Sequence, residues 1–352
     1  MVGGRAARIL VGMEDGLAVL GPPSERGGKW RLDTRLEGLT TQCVAYDPLQ
    51  PARAYCGTWE RGLWRSEDGG ATWEPVGDGI AHAAVMAVAV SPTERAGDQG
   101  VVYAGTEPSA LFRSEDGGHT WQERPALLAV PSVPTWSFPP RPWTHHVRWI
   151  ELDPVVPSRV YVSIEQGGVM RSLDGGETFE DRRPGGPRDA HTLASHDRAA
   201  GRLYAPAADG MGGAGKALME SHDGGQTWQP AGAGIGHGYG WSVAVDPANP
   251  ENVLYSGAHS PRQAHDAAAA ASALYYRHNG TWHQAQIGLP EPPGTGIYVL
   301  ATNYAQPGGF YAACNLGVFV SADAGHSWEH LDVEWPERYR RQHVQGLAVL
   351  AA

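Results

Sequence analysis

The sequence predicts an all-β fold: a seven-bladed β-propeller of four-stranded antiparallel blades, closed by pairing the C-terminal strand with the N-terminal three strands. Three observations predict it. A short turn motif recurs along the chain, strand-like runs precede each copy, and the two termini hold complementary parts of one more unit. Recurrence with a period of about 20–50 residues marks solenoids, propellers and arrays.

The motif S-x-D-x-G-x-T-W occurs at Ser66–Trp73, Ser114–Trp121, Ser172–Phe179 and Ser221–Trp228, and at Ser321–Trp328 with Ser327 in the threonine place. A shortened copy, HNGTW, ends at Trp282. Each copy follows a run such as GLW, ALF, GVM or GVF, and a second strand begins at or near the aromatic residue. The motif therefore reads as a hairpin turn. Its aspartate can accept backbone N–H bonds across the turn, its glycines permit positive φ, and its aromatic ring packs beneath.

Two further strands lie upstream of each turn. One ends in a turn signal (CVAYDP, VAVSP, WIELDP, VAVDP), and the next is an aromatic β-run (RAYCGT, VVYAGT, RVYVSI, RLYAPA, NVLYSG, GFYAAC). Six units of four strands follow, at residues 40–78, 82–127, 143–184, 189–233, 237–289 and 294–334. The tail HVQGLAVLAA reads as a lone first strand, and the head supplies ARILVGM, GLAVLG and KWRLDTRL as strands two to four. Residues 343–352 plus 6–36 then make the seventh blade, and the whole chain is one domain. Such closure removes an exposed sheet edge.

Composition excludes several function classes. The net charge is −11 and no basic stripe is present, so no nucleic-acid partner is expected. The three cysteines, Cys43, Cys56 and Cys314, are too few and odd in number for a disulfide framework. The opening run MVGGRAARILVGMEDGLAVLG is interrupted by Glu14 and Asp15 and reads as neither signal peptide nor membrane span. A cytoplasmic protein with no membrane partner and a small-molecule substrate is expected.

The repeats resemble the Asp boxes, or BNR repeats, of the sialidase-like superfamily: sialidases, xyloglucanases, sortilin-type receptors and a photosystem assembly factor. The resemblance covers nearly the whole chain. It implies a propeller whose boxes sit away from the binding face, and an exo-sialidase or glycosyl hydrolase label. Of the sialidase set, no Arg-Ile-Pro stretch is present, and only Arg61, Arg148 and Arg262 fall on the top-face links.

With the boxes at the bottom, chemistry belongs to the approaches to the innermost strands and to the links between second and third strands. Histidines recur at the approaches: His82, His145 with His146, His191, His237 and His343. Imidazoles and carboxylates meeting on one axis suit a divalent metal or acid–base work. The candidate catalytic residues are His146, Arg148, Glu165, His191 and Tyr239. The candidate ligand-binding residues are Trp59, Glu107, Asp189, His259 and Asn315. The candidate metal ligands are His146, His191, His237 and His343, for one divalent ion of unspecified identity. Arg148 is expected to pair with a carboxylate such as Glu165 or to bind an anionic group. Trp59, Tyr239, Trp241 and Tyr298 are expected to form either an aromatic platform or packing between blades. His196, His222, His278 and His326 are assigned to the surface. Two insertions, 125–146 and 259–274, are expected to rim the top face, the second through a short helix in its alanine run. The expected activity is hydrolysis or elimination on a small polar or anionic substrate. The alternatives are a glycoside hydrolase using Glu107 and Glu165, and a non-catalytic propeller that binds carbohydrate or protein.

Overall fold

Seven antiparallel sheets follow one another along the chain in a computed structural model that describes residues 6–24, 28–141 and 143–351. Residues 25–27 and 352, inside the predicted closing blade, lie outside the described residues. Strand Gly346–Ala351 pairs with Ala6–Met13, from Arg8 opposite Leu350 to Gly12 opposite Gly346. That sheet continues through Gly16–Gly21 to Arg31–Arg35. Head and tail thus complete one blade, and the sheets form a closed seven-bladed β-propeller.

Central strands such as Ala54–Thr58, Val160–Ile164 and Phe310–Cys314 are buried along their whole length. They carry apolar residues on both faces because each blade is sandwiched between two neighbours. The core accordingly lies between blades: Tyr55 and Leu63 of one meet Val102, Phe112 and Trp121 of the next. Two glycines set the spacing. A Cβ on Gly57 would stand 2.5 Å from Cys43 Sγ and Val85 O, and one on Gly105 would stand 2.3 Å from Val147 Cγ1.

Every full-length box is the hairpin turn the sequence predicts. Asp68 Oδ1 accepts from the N–H groups of Ala71 and Thr72 at 2.9 Å, and Thr72 Oγ1 donates to Oδ2 at 2.7 Å. Ser66 Oγ accepts from Gly70 N–H at 2.8 Å. The box also docks on the preceding blade. Gly117 O receives Tyr55 OH at 3.0 Å and Arg65 Nη1 at 2.8 Å, and Gly224 O receives Arg171 Nη1 at 2.7 Å. Tyr55, Arg65 and Arg171 thus clasp the box of the next blade.

The blade at 143–184 departs from expectation. It has three strands, and its fourth is reduced to a single bridge between Arg171 and Glu180. Glu180 is drawn into ion pairs with Arg171 and Arg183, and Pro184 has no N–H to extend the ladder. The helix of the 259–274 insertion also differs. It spans Pro261–His265, capped by Ser260, and precedes the alanine run rather than occupying it. Among the described residues, no helix is long and apolar enough to cross a membrane.

Candidate functional site

The top mouth of the central channel opens into a cavity of ≈ 670 Å³. Its wall comes from innermost-strand approaches (Gln42, His146, Arg148, Asp189, Tyr239, Trp241, His343), from upper links (Trp59, Glu165, Gln166) and from the two insertions (Phe138, Arg141, Pro261, His265). The insertions do rim the face.

Glu165 is the centre of the polar network. Its Oε2 lies 3.0 Å from His146 Nε2 and 3.9 Å from Arg148 Nε, and its Oε1 lies 3.9 Å from His191 Nε2. Burial alone would raise the Glu165 carboxyl. The hydrogen bond from His146 and the charges of His146, His191 and Arg148 outweigh it and hold Glu165 at about 2. Asp189 goes the other way. Burial raises it, His191 opposes and Glu165 adds to the rise.

His191 is fully buried, and its Nδ1 is 2.5 Å from Gly240 O. A carbonyl only accepts, so Nδ1 carries a proton, and Nε2 is turned toward Tyr239 OH, Glu165 and Asp189. Asp189 Oδ1 is 3.9 Å from that nitrogen. One atom each from Glu165, Asp189 and His191 lie within 4.8 Å of one another, a cluster able to hold a metal ion. Ligand atoms around one ion at about 2.1 Å stand about 3–3.5 Å apart, so small side-chain rotations would close this triangle.

An aromatic and imidazole wall stands beside the cluster. Tyr239 OH bridges His191 Nε2 at 3.3 Å and His265 Nε2 at 3.0 Å. His265 packs on Trp241 and His343 with ring centroids 4.5 and 4.4 Å away. Burial and the neighbouring His191 lower His265 to about 3, so it stays neutral. Arg148 stacks over Trp241 at 4.4 Å, so both readings of it hold in part: it is near Glu165 and it faces the cavity.

Several predicted residues fall elsewhere. His237 does not line the cavity. Its Nδ1 bonds Tyr275 OH at 2.7 Å and its ring stacks on the exposed His259 at 4.1 Å, which takes both out of the cluster. Asn315 is a structural clasp: its amide bonds Gly296 N, Gly294 O and Arg340 O. Glu107 lies behind the wall, held by Arg141 at 2.7 and 2.8 Å and by Thr144 at 3.0 Å, with Oε2 3.4 Å from His146 Nδ1. His343 lines the cavity but packs on Trp241 and His265 rather than joining the three-residue cluster. His146 meets Glu165 and Glu107, again outside that cluster. Of the four expected metal ligands, only His191 belongs to it. His82 is absent from the wall, His145 packs edge-on against Trp136, and Tyr298 is core. His196 is buried, not superficial, and bonds Asp246 O at 2.9 Å. Of the three top-face arginines, only Arg148 reaches the cavity.

Sequence reasoning left out of the site His265 and Arg141, both on insertions. Arg141 locks Glu107 and is stacked 4.6 Å from Trp59 and 4.8 Å from Phe138. Its signal was an arginine four residues before the double histidine in a proline- and tryptophan-rich run.

The opposite mouth holds a cavity of ≈ 760 Å³ walled mainly by apolar inner strands. Its Glu151 accepts Ser195 N–H at 2.9 Å and Ser195 Oγ–H at 2.6 Å. Burial raises that carboxyl to about 7 against these hydrogen bonds.

The chain matches the BNR/Asp-box repeat family over residues 219–230, the fourth box. No curated protein matches it. Among solved structures it is similar to a GH74 enzyme of Niastella koreensis, with a TM-score of 0.65 and 19% identity over 95% of this chain and 55% of that one. It therefore spans about half the length of that enzyme. An ancestral GH74 enzyme matches with a TM-score of 0.59 and 16% identity over 88% of this chain and 38% of that one. YCF48 bound to D1 peptide matches with a TM-score of 0.54 and 16% identity over 83% of this chain and 82% of that one. These likenesses show the propeller fold, and the family match falls on one of its repeated boxes.

Proposed function

We propose that this propeller is a metal-assisted enzyme, a hydrolase or lyase, that acts on a small polar or anionic substrate in the top cavity. The observation that carries the reading is the convergence of Glu165, Asp189 and His191, with His191 oriented by Gly240 O so that Nε2 is turned toward the two carboxylates, which line the cavity. A divalent ion held there would polarise a substrate oxygen and lower the pKa of a bound water. The chain's own groups would do the rest. His146 positions Glu165, Arg148 faces developing or resident negative charge, and the Tyr239 hydroxyl sits where it can pass a proton. The GH74 neighbours keep a glycoside hydrolase in view, but the pair Glu107 and Glu165 is a poor acid–base couple because Arg141 occupies both oxygens of Glu107.

Chelator-treated protein is titrated with Mn²⁺ and Zn²⁺ by calorimetry and assayed on a panel of small esters, lactones and aryl glycosides. One ion per chain is expected, together with ion-dependent turnover. His191→Ala and Asp189→Asn should lose the ion, and Glu165→Gln should lower turnover by about 10²-fold or more. Turnover unaffected by chelation would replace the metal reading with acid–base chemistry. Ligand binding without turnover or ion would make the cavity a binding platform.

A further inference from the structure

Next to the top cavity is a second concavity of ≈ 340 Å³ whose wall includes Arg182, Arg183, Arg188 and Lys216, with Asp209 as its only lining carboxylate. Four cations gathered in one pocket stand out in a chain of net charge −11. Their charge is compensated only in part, by Asp209, Glu180 and Asp181. Arg182 donates to two neutral acceptors, Gly167 O at 2.7 Å and Thr135 Oγ1 at 2.8 Å. Arg183 shares one carboxylate, Glu180, with Arg171. Asp209 is occupied by backbone, accepting the N–H groups of Arg188 at 3.1 Å and Asp189 at 2.9 Å. Arg188 and Lys216 are exposed. Burial and the neighbouring Arg188 charge both pull Arg182 down, and Asp181 opposes them.

The pocket adjoins the proposed reaction site across the Asp189 backbone, whose N–H donates to Asp209 at 2.9 Å. Arg188 and Asp209 line it, while the adjoining residues Asp189 and Met211 line the main cavity. Gly167, which holds Arg182, follows Gln166 of the main cavity wall.

We propose that this annex is an anion subsite that takes a phosphate-bearing group. Resting on the reading of the main cavity as a reaction site, it makes the substrate a small phosphate ester. Planar guanidinium groups suit the tetrahedral, multiply charged oxyanion, and several cations lining one pocket favour it over a single carboxylate. The same cations steer such ligands towards a mouth that the chain's overall negative charge would otherwise repel.

Direct binding tests it. Metal-free full-length protein is titrated at low ionic strength with inorganic pyrophosphate, inorganic phosphate and acetate. Pyrophosphate is expected to bind tightest and acetate weakest, with affinity falling as salt rises. The double variant Arg188→Glu/Lys216→Glu, at two exposed positions, should fold normally by circular dichroism and weaken pyrophosphate at least about tenfold. Arg262→Glu, on the exposed side of the rim helix, should change it little. Glu165→Gln should leave pyrophosphate binding in place even if the metal reading fails, so the two readings fail separately. No pyrophosphate binding by the wild type, equal binding by the double variant, or acetate binding as tight as pyrophosphate would each overturn the subsite.

Discussion

Two carboxyls in one cavity, Glu165 and Asp189, experience opposite surroundings. Cationic and hydrogen-bonding neighbours hold Glu165 at about 2, and burial lifts Asp189. At the other mouth, Glu151 gives a stability prediction. Its folded pKa, about 7, lies above the ordinary value near 4.5. The folded state therefore binds the extra proton between those values. The associated stability is fully present below pH ~4.5 and is lost as pH rises through ~7. Glu151→Gln should raise the melting temperature relative to wild type at pH 8, by an amount on the order of 2 kcal/mol in stability. At pH 4 it should give no gain. A melting series across that range checks it, and a gain that is equal at both ends contradicts the assignment. The residues legible in sequence were those whose position the repeat dictates. Glu165, Asp189, His191 and Arg148 follow from strand order. His237 was misjudged because a neighbouring strand supplies Tyr275 OH to its imidazole, and His265 and Arg141 were left out of the candidate site because insertions take paths that no repeat prescribes.

At the scale of elements, the Asp box is a self-contained turn that also joins blades. The side chains of its Ser, Asp and Thr satisfy its backbone, and its first glycine, at positive φ, can present a carbonyl to the preceding blade, as Gly117 does to Tyr55 and Arg65. Four boxes place glycine there, whereas the last places Ala324 at φ 59. A non-glycine residue in the left-handed region costs about 1–2 kcal/mol, partly offset by the greater chain entropy of glycine. Ala324→Gly should therefore raise the urea midpoint, by about 0.5–1 kcal/mol in stability. An unchanged or lowered midpoint would show that the turn has relaxed around alanine. Box position was readable because its polar residues have local partners. The shortened fourth strand of the 143–184 blade was not, since it depends on which arginines capture Glu180.

For the molecule as a whole, closure decides whether distant segments share an axis. Gln42, His146, Asp189, Tyr239 and His343 are far apart in sequence and meet at one mouth because Gly346–Ala351 locks onto Ala6–Met13. A cross-link between those strands tests the closure. Arg8 and Leu350 are opposed, and the native cysteines are buried and free. Arg8→Cys/Leu350→Cys should form a disulfide on mild oxidation and gain about 3–5 kcal/mol, because it closes a loop nearly as long as the chain. Failure to form it in the folded protein would open the ring. The central claim is that the ring gathers Glu165, Asp189 and His191 into a metal centre, and crystals grown with Mn²⁺ test it most directly. The account predicts one anomalous peak within bonding distance of Glu165, Asp189 and His191 Nε2. A cavity without such a peak, or an ion bound only at another place on the molecule, would contradict it.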